Sequence, residues 1–179
     1  MEFINFKDSK EIRRDIEPLY ISAFPVEERP PAFLFFDKSL EEGNELFGIY
    51  KNNEFIGFTN VLSYKDISYI FFLAVSPNKR NQGYGSKILQ SVLNLNKEMT
   101  YFLCYEEIDD KYLDNSLRIK RREFYHRNGF KDNNLKTCEY GVYYDTCYQG
   151  NRQVTFDDYL ELMIARYGNR AKKYIKKAS

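Results

Sequence analysis

Residues 69–95 read YIFFLAVSPNKRNQGYGSKILQSVLNL, and the reading of this stretch decides the fold. It opens with an apolar and aromatic run from Tyr69 to Val75, ended by Pro77. So short and aromatic a run predicts a strand buried on both faces. Ile88, Leu89, Val92 and Leu93 then recur at helical spacing, so a helix follows. Between the two lies Arg80-Asn81-Gln82-Gly83-Tyr84-Gly85. A strand that enters a glycine-containing loop and then a helix suits an anion. First-turn amides have no partner within the helix, and the helix dipole favours negative charge there. Gly83 and Gly85 keep side chains out of the path of an oxygen-rich group, and Arg80 adds a fixed positive charge. The combination predicts a pyrophosphate site.

The loop is not a Walker-type G-x-x-x-x-G-K-[ST], because Ser86 and then Lys87 follow Gly85. Nor is it the G-x-G-x-x-G of a dinucleotide fold with an acidic residue about 20 positions on. Leu73-Ala74-Val75-Ser76-Pro77 followed by Arg80 through Gly85 resembles L-x-V-x-P and then [RQ]-x-x-G-x-[GA], the acyl-CoA signature of GNAT superfamily N-acetyltransferases. A second segment, Phe124-Tyr125-His126-Arg127-Asn128-Gly129-Phe130, is similar to the F-Y-x-x-x-G-F that follows this loop in the family. The resemblance is to bacterial members whose acceptor is unassigned. It covers the middle and latter half of the chain by motif and the remainder by layout.

Composition fits one compact enzyme domain over residues 1–179. Lys and Arg number 27 against 26 acidic residues, a formal net charge of +1, which gives no electrostatic case for nucleic acid or an anionic membrane. No apolar run approaches the roughly 18 residues of a spanning helix. The opening MEFINFKDSK lacks the apolar core of a secretion signal, so a cytoplasmic location is expected. Cys104, Cys138 and Cys147 are odd in number and lack metal-ligand spacing, and there is a single histidine, so no metal is expected. Sixteen tyrosines and 15 phenylalanines without tryptophan predict an aromatic core.

In chain order, Glu2 to Phe6 alternates as an edge strand, and Asp8 with Glu11 resembles a capping box for a helix through Ile12, Ile16, Leu19 and Ala23. A second helix runs through Ala32 to Phe36. Asn52-Asn53 joins strands Leu46–Tyr50 and Phe55–Ser63, and Lys65-Asp66 turns into the central strand, giving an antiparallel meander. Thr100 to Glu106 is a further strand; a helix carrying Arg118 and Tyr125 ends at Asn128-Gly129. Leu135 to Tyr148 alternates as two strands around Tyr140-Gly141. Thr155 with Asp158 starts a last helix expected over about 155–175 as an appendage with a basic tail. The expected architecture is α/β (α+β): a GNAT-like, mixed and mostly antiparallel sheet of about seven strands, with helices on both faces.

The resemblance implies acetyl-CoA as acyl donor and direct transfer of its acetyl group to a primary amine. It implies that Arg80, Asn81, Gln82, Gly83, Tyr84, Gly85 and Ser86 hold the pyrophosphate, and that backbone groups of Leu73, Ala74 and Val75 pair with the pantetheine arm like an added strand. Tyr125 takes the position of the family tyrosine that protonates the departing thiolate. Some relatives carry a basic glutamate on the central strand where this chain has Tyr69, which leaves Glu106, Glu107 and Glu28 as substitutes, each also readable as a surface acid. Many relatives have a cofactor-contacting asparagine where this chain has Arg118, with Asn115 one turn earlier. The segment between the first two helices lines the acceptor side in the family, so Glu28, Arg29, Phe33 and Phe36 are candidate substrate contacts. The resemblance implies a small-molecule or peptide amine as acceptor, without identifying it, and a homodimer is compatible with the family. A catalytically weak acyl-CoA sensor with the same fold is the alternative.

Overall fold

The computed structural model describes residues 1–178. The chain runs β1 (Glu2–Asn5), α1 (Arg13–Ala23), α2 (Ala32–Lys38), β2 (Asn44–Lys51), β3 (Glu54–Tyr64), β4 (Ile67–Val75), α3 (Tyr84–Leu93) and β5 (Thr100–Glu106). It continues through α4 (Asn115–Arg127), β6 (Lys131–Glu139), β7 (Val142–Gln149), α5 (Phe156–Tyr167), the short α6 (Ala171–Tyr174) and β8 (Ile175–Ala178). The strands form one mixed, mostly antiparallel sheet of eight in the order β1-β2-β3-β4-β5-β7-β6-β8. The expected meander of β2, β3 and β4 is present, turned by Asn52 and Asn53 and then by Lys65, all at positive φ.

Helices cover both faces because the strands are apolar on both. Ile49, Ile70, Tyr101, Leu103 and Tyr105 pack on one side against Ile88, Leu89 and Val92 of α3, with Phe124 and Tyr125 of α4 at the margin. On the other side Phe58 and Phe72 meet Ile16, Leu19 and Tyr20 of α1 and Phe35 and Phe36 of α2. Farther along that face Tyr69 and Phe102 pack on Tyr159, Leu162 and Met163 of α5. The aromatic core takes specific form: Tyr20 stacks on Phe35 with ring centroids 4.3 Å apart, and Tyr69 stacks on Phe102 at 4.6 Å.

Two features of β4 position everything that follows. Its register with β3 slips so that Asn60 faces Phe72 and Val61 faces Ile70, leaving Phe71 as an extra residue. Such a bulge bends the strand and resets its alternation. Phe71 and Phe72 therefore pack toward the same face, and Leu73 returns to the other. The second feature is that β4 and β5, parallel neighbours, pair only at Ile67–Tyr69 against Thr100–Phe102. Past Tyr69 the strands part, while β5 stays paired with β7 as far as Glu106.

Both ends of the helical pattern differ from the sequence expectation. α1 begins at Arg13 after a 3-10 turn over Lys10–Ile12, and the Asp8–Glu11 capping box is not made; Ser9 precedes that turn without a side-chain cap. The last helix does not reach residue 175. It ends at Tyr167, where Gly168 adopts φ 80 and its N–H bonds the Ile164 carbonyl at 2.8 Å. Only glycine takes that conformation without strain, so the helix stops there. The basic tail becomes β8, antiparallel to β6, and supplies an eighth strand that covers the β6 edge. The start signal does hold: Thr155 and Asp158 form a reciprocal capping box.

Arg152 ties the start of α5 to the sheet. Its guanidinium forks onto Asp158 at 2.6 and 3.1 Å and onto Asp66 of the β3–β4 turn at 2.8 and 2.9 Å. Hydrogen bonding to Arg152 and to Thr155 holds the Asp158 carboxyl at about 2, below its ordinary 3.8. A depressed carboxylate stabilises the fold above its unfolded value, and that contribution fades as pH falls from 3.8 toward 2. Arg152→Ala should cost roughly 1–2 kcal/mol at neutral pH. The gap in melting temperature between wild type and variant should close as the pH of the melt is lowered through that window.

Candidate active site

The loop after β4 is built to present backbone. Arg80 folds back so that its Nε donates to the Val75 carbonyl at 3.1 Å, and Gln82 Nε2 donates to the Asn78 carbonyl at 3.1 Å. Asn81 at φ 60 and Gly83 at φ 77 are both left-handed, which turns the chain into α3. Gly83 is the N-cap of α3; no side chain caps it, and no acidic residue occupies the first turn. The amides of Tyr84, Gly85 and Ser86 therefore keep the capacity an anion would use. Lys51 and Lys87 flank the Tyr84 ring, with Lys51 Nζ 3.3 Å from its hydroxyl, and Lys79 pairs with Glu54 nearby. Gly85 has a second reason to be glycine: an added Cβ would sit 3.1 Å from Cζ of Phe124. That contact sets the spacing between the loop helix and α4, which carries Tyr125.

Leu73, Ala74 and Val75 lie on the part of β4 that has left β5, so their outward backbone groups face the gap between the strands. Leu73, Val75, Phe124 and Tyr125 all border the same hydrophobic cluster. Tyr125 is half-buried, with its ring near Tyr105 and Phe130. Burial pushes its phenol up to about 12, with the Arg121 charge pulling the other way. A phenol so placed is protonated at neutral pH and can donate.

Two of the candidate bases from sequence, Glu106 and Glu107, lie in ion pairs. Glu106 is bound by Arg121. Glu107 accepts from Lys111 at 3.0 Å, Lys136 at 3.1 Å and the Tyr112 hydroxyl at 3.2 Å, and these bonds hold its carboxyl below the usual range. Arg118 clasps the same loop, donating to Asp114 and to the Glu107 carbonyl, both at 2.9 Å, with its guanidinium 3.8 Å over the Tyr112 ring. Asn115 accepts from the Asp109 N–H and donates to Asp110. Both therefore brace residues 107–114. His126 is at the surface beside Asp132.

On the other side of the parted strands is a cavity of about 530 Å³. It is walled by residues 26–31, Phe71 of the bulge, Tyr144 of β7, and Met163 and Tyr167 of α5, with Glu139 at the end of β6. Glu28 lines it, half-buried, with burial raising its carboxyl against the opposing charges of Arg121 and Arg118. Arg29 also lines it, its Nε donating to the Phe24 carbonyl and its guanidinium over Tyr20. Phe33 does not: it is 65% exposed, and Leu34 takes the wall position. Phe36 is a core residue, 1% exposed against Phe6. With α2 starting at Ala32, the helical period sends Phe35 and Phe36 inward and Phe33 out. Tyr69, at the position of the family glutamate, is 4% exposed and committed to stacking. Sequence reasoning missed Phe71, Glu139, Tyr144 and Tyr167. Only the Tyr-Gly turn after Glu139 hinted that this residue ends a strand, and nothing in its spacing pointed to a cavity.

The comparisons agree with this fold. A family model described as an acetyltransferase (GNAT) domain matches residues 42–132, from the start of β2 into β6. A protein described as a GNAT-family acetyltransferase from Bacteroides thetaiotaomicron superposes with a TM-score of 0.75 at 21% identity, covering 94% of this chain and 99% of that one. An aminoglycoside 6′-N-acetyltransferase complexed with coenzyme A gives 0.67 at 14% identity over 83% of this chain and 96% of the other. The ribosomal-protein-S18-alanine N-acetyltransferase from Escherichia coli gives 0.62 at 14% identity over 87% and 99%. At such identities the likeness concerns the fold. Curated protein sequences gave no significant match. The family match spans the bulged strand, the glycine loop and the helix of Tyr125, and the chain belongs to the GNAT family of acetyltransferases.

Proposed function

We propose that this protein is an acetyl-CoA-dependent N-acetyltransferase that moves acetyl directly to a primary amine. The observation that carries the reading is the uncapped start of α3 beside the parted end of β4. Free first-turn amides with Arg80 suit a pyrophosphate, and the β4 edge at Leu73–Val75 that β5 no longer pairs, its Val75 carbonyl held by Arg80, suits the amide-bearing arm attached to it. A neighbour of the same fold solved with coenzyme A supports this assignment. Acetyl-CoA supplies an activated thioester; the chain supplies orientation and protons. The Val75 N–H is the candidate donor to the thioester carbonyl. Tyr125, protonated at neutral pH, is the candidate acid for the thiolate. The acceptor enters by the cavity lined by Glu28 and Arg29.

The alternative, an acyl-CoA-binding sensor, draws on two observations. Tyr69 is a core aromatic, and Glu106 and Glu107 are engaged by cations. The two readings share the cofactor site and differ in turnover.

Calorimetric titration should show acetyl-CoA binding to wild type and at least about a tenfold loss in an Arg80→Ala/Gly83→Asp variant. Absence of binding to folded wild type would sink both readings. Tyr125→Phe should lower kcat about 100-fold, within the range for loss of a positioned acid, while acetyl-CoA affinity stays within about twofold. Unchanged kcat would remove Tyr125 from the chemistry.

A further inference from the structure

Glu139 stands apart from the other acids around the cavity. Two other acids line it, Glu27 and Glu28: Glu27 is exposed, and Glu28 lies in the field of Arg121 and Arg118. Glu139 forms no ion pair among the described residues. Its carboxylate accepts from the Tyr159 hydroxyl at 2.6 Å and the Thr137 hydroxyl at 3.4 Å, both neutral donors. A half-buried carboxylate without a counterion is costly, and one facing a cavity is where a ligand cation gains most. Burial raises its carboxyl accordingly.

The surroundings specify the rest of the ligand. Phe71, Met163, Tyr144 and Tyr167 give the cavity apolar and aromatic walls, which suit a hydrocarbon body and tolerate a cation at a ring face. Arg29 and Arg170 also line it, and neither forms an ion pair among the described residues. Glu27, Glu28 and Glu139 against Arg29 and Arg170 leave the lining one negative charge in excess, so a polycation would set its surplus ammonium groups against the two arginines. A single positive charge on an apolar body avoids that repulsion.

We propose that the acceptor is a monocationic primary amine with an aryl or alkyl body, its ammonium set against Glu139 and its body against Phe71, Met163, Tyr144 and Tyr167. That this ligand is then acetylated rests on the acetyltransferase reading; that it binds here rests on the cavity. Glu139 is thus the specificity determinant, and multiply charged sugars are poor ligands.

The test compares 2-phenylethylamine with 2-phenylethanol, which keeps the body and drops the charge, by calorimetry on the full chain with and without acetyl-CoA. The amine should bind wild type at least about tenfold tighter than the alcohol. Glu139→Gln, which keeps the shape and an acceptor for Tyr159, should bring that ratio near one and leave acetyl-CoA affinity within about twofold. Because the ratio compares two ligands on the same folded protein, a destabilised variant does not imitate the result. No amine binding, a wild-type ratio near one, a ratio that survives in Glu139→Gln, or tighter binding of kanamycin than of the amine each overturns the proposal. Loss of acetyl-CoA binding with the ratio intact would instead strike only the acetyltransferase reading.

Discussion

The structure depends on a strand pair that is made and then abandoned. β4 and β5 hold each other at Ile67–Tyr69 and Thr100–Phe102, and there the sheet is continuous and its core closed. Beyond that point β4 carries an extra residue, Phe71, and diverges. Backbone groups left unpaired inside a sheet are costly unless something satisfies them. Natural folds tolerate the cost where a ligand completes the ladder, and the bulge that opens this one also aims Phe71 into the cavity. One local irregularity thus exposes a strand edge on one side and furnishes a wall on the other.

The parted strands need support on both faces. On the α3–α4 side it comes from Phe124, whose ring fills the space that a side chain at Gly85 would need and packs against Tyr125. On the α5 side it comes from Tyr159, which packs on Tyr69 and Phe102 and sends its hydroxyl to Glu139. β8 then closes the β6 edge beside Glu139, pairing Glu139 with Ile175 in register. The end of the chain therefore belongs to the framework of the cavity.

Local signals were legible in the sequence, and distant juxtapositions were not. The burial of β4, the meander turns, the Thr155 cap and the glycine loop each rest on residues close together in sequence, where period and turn chemistry decide the outcome. The extent of the last helix was misread because Gly168 had to be weighed against a helical pattern on one side and a lysine-rich tail on the other. Only the available edge of β6 makes that tail a strand. Phe33 and Phe36 looked equivalent as aromatics near the acceptor side, yet a one-residue choice of where α2 begins sends one out and the other in. Glu139 is the hardest case, since its meaning depends on which residues do not approach it.

That last point bears on how acids are assigned roles. Glu106 and Glu107 attract notice in sequence because they lie at the end of the strand that follows the glycine loop and its helix, and the fold answers by surrounding them with Arg121, Lys111 and Lys136. An acid so paired is stabilised as the anion and is a weaker proton acceptor, however well it is located. Glu139 has the opposite history: carried on β6, far along the chain from the loop, it reaches the cavity with only hydroxyls for company. For the acceptor site proposed above, which would bind a cation and ease the loss of its proton, position alone is insufficient. Glu139 stands at the cavity wall with no ion-pair partner among the described residues, and burial raises its carboxyl, so its neighbours leave its charge open to a ligand.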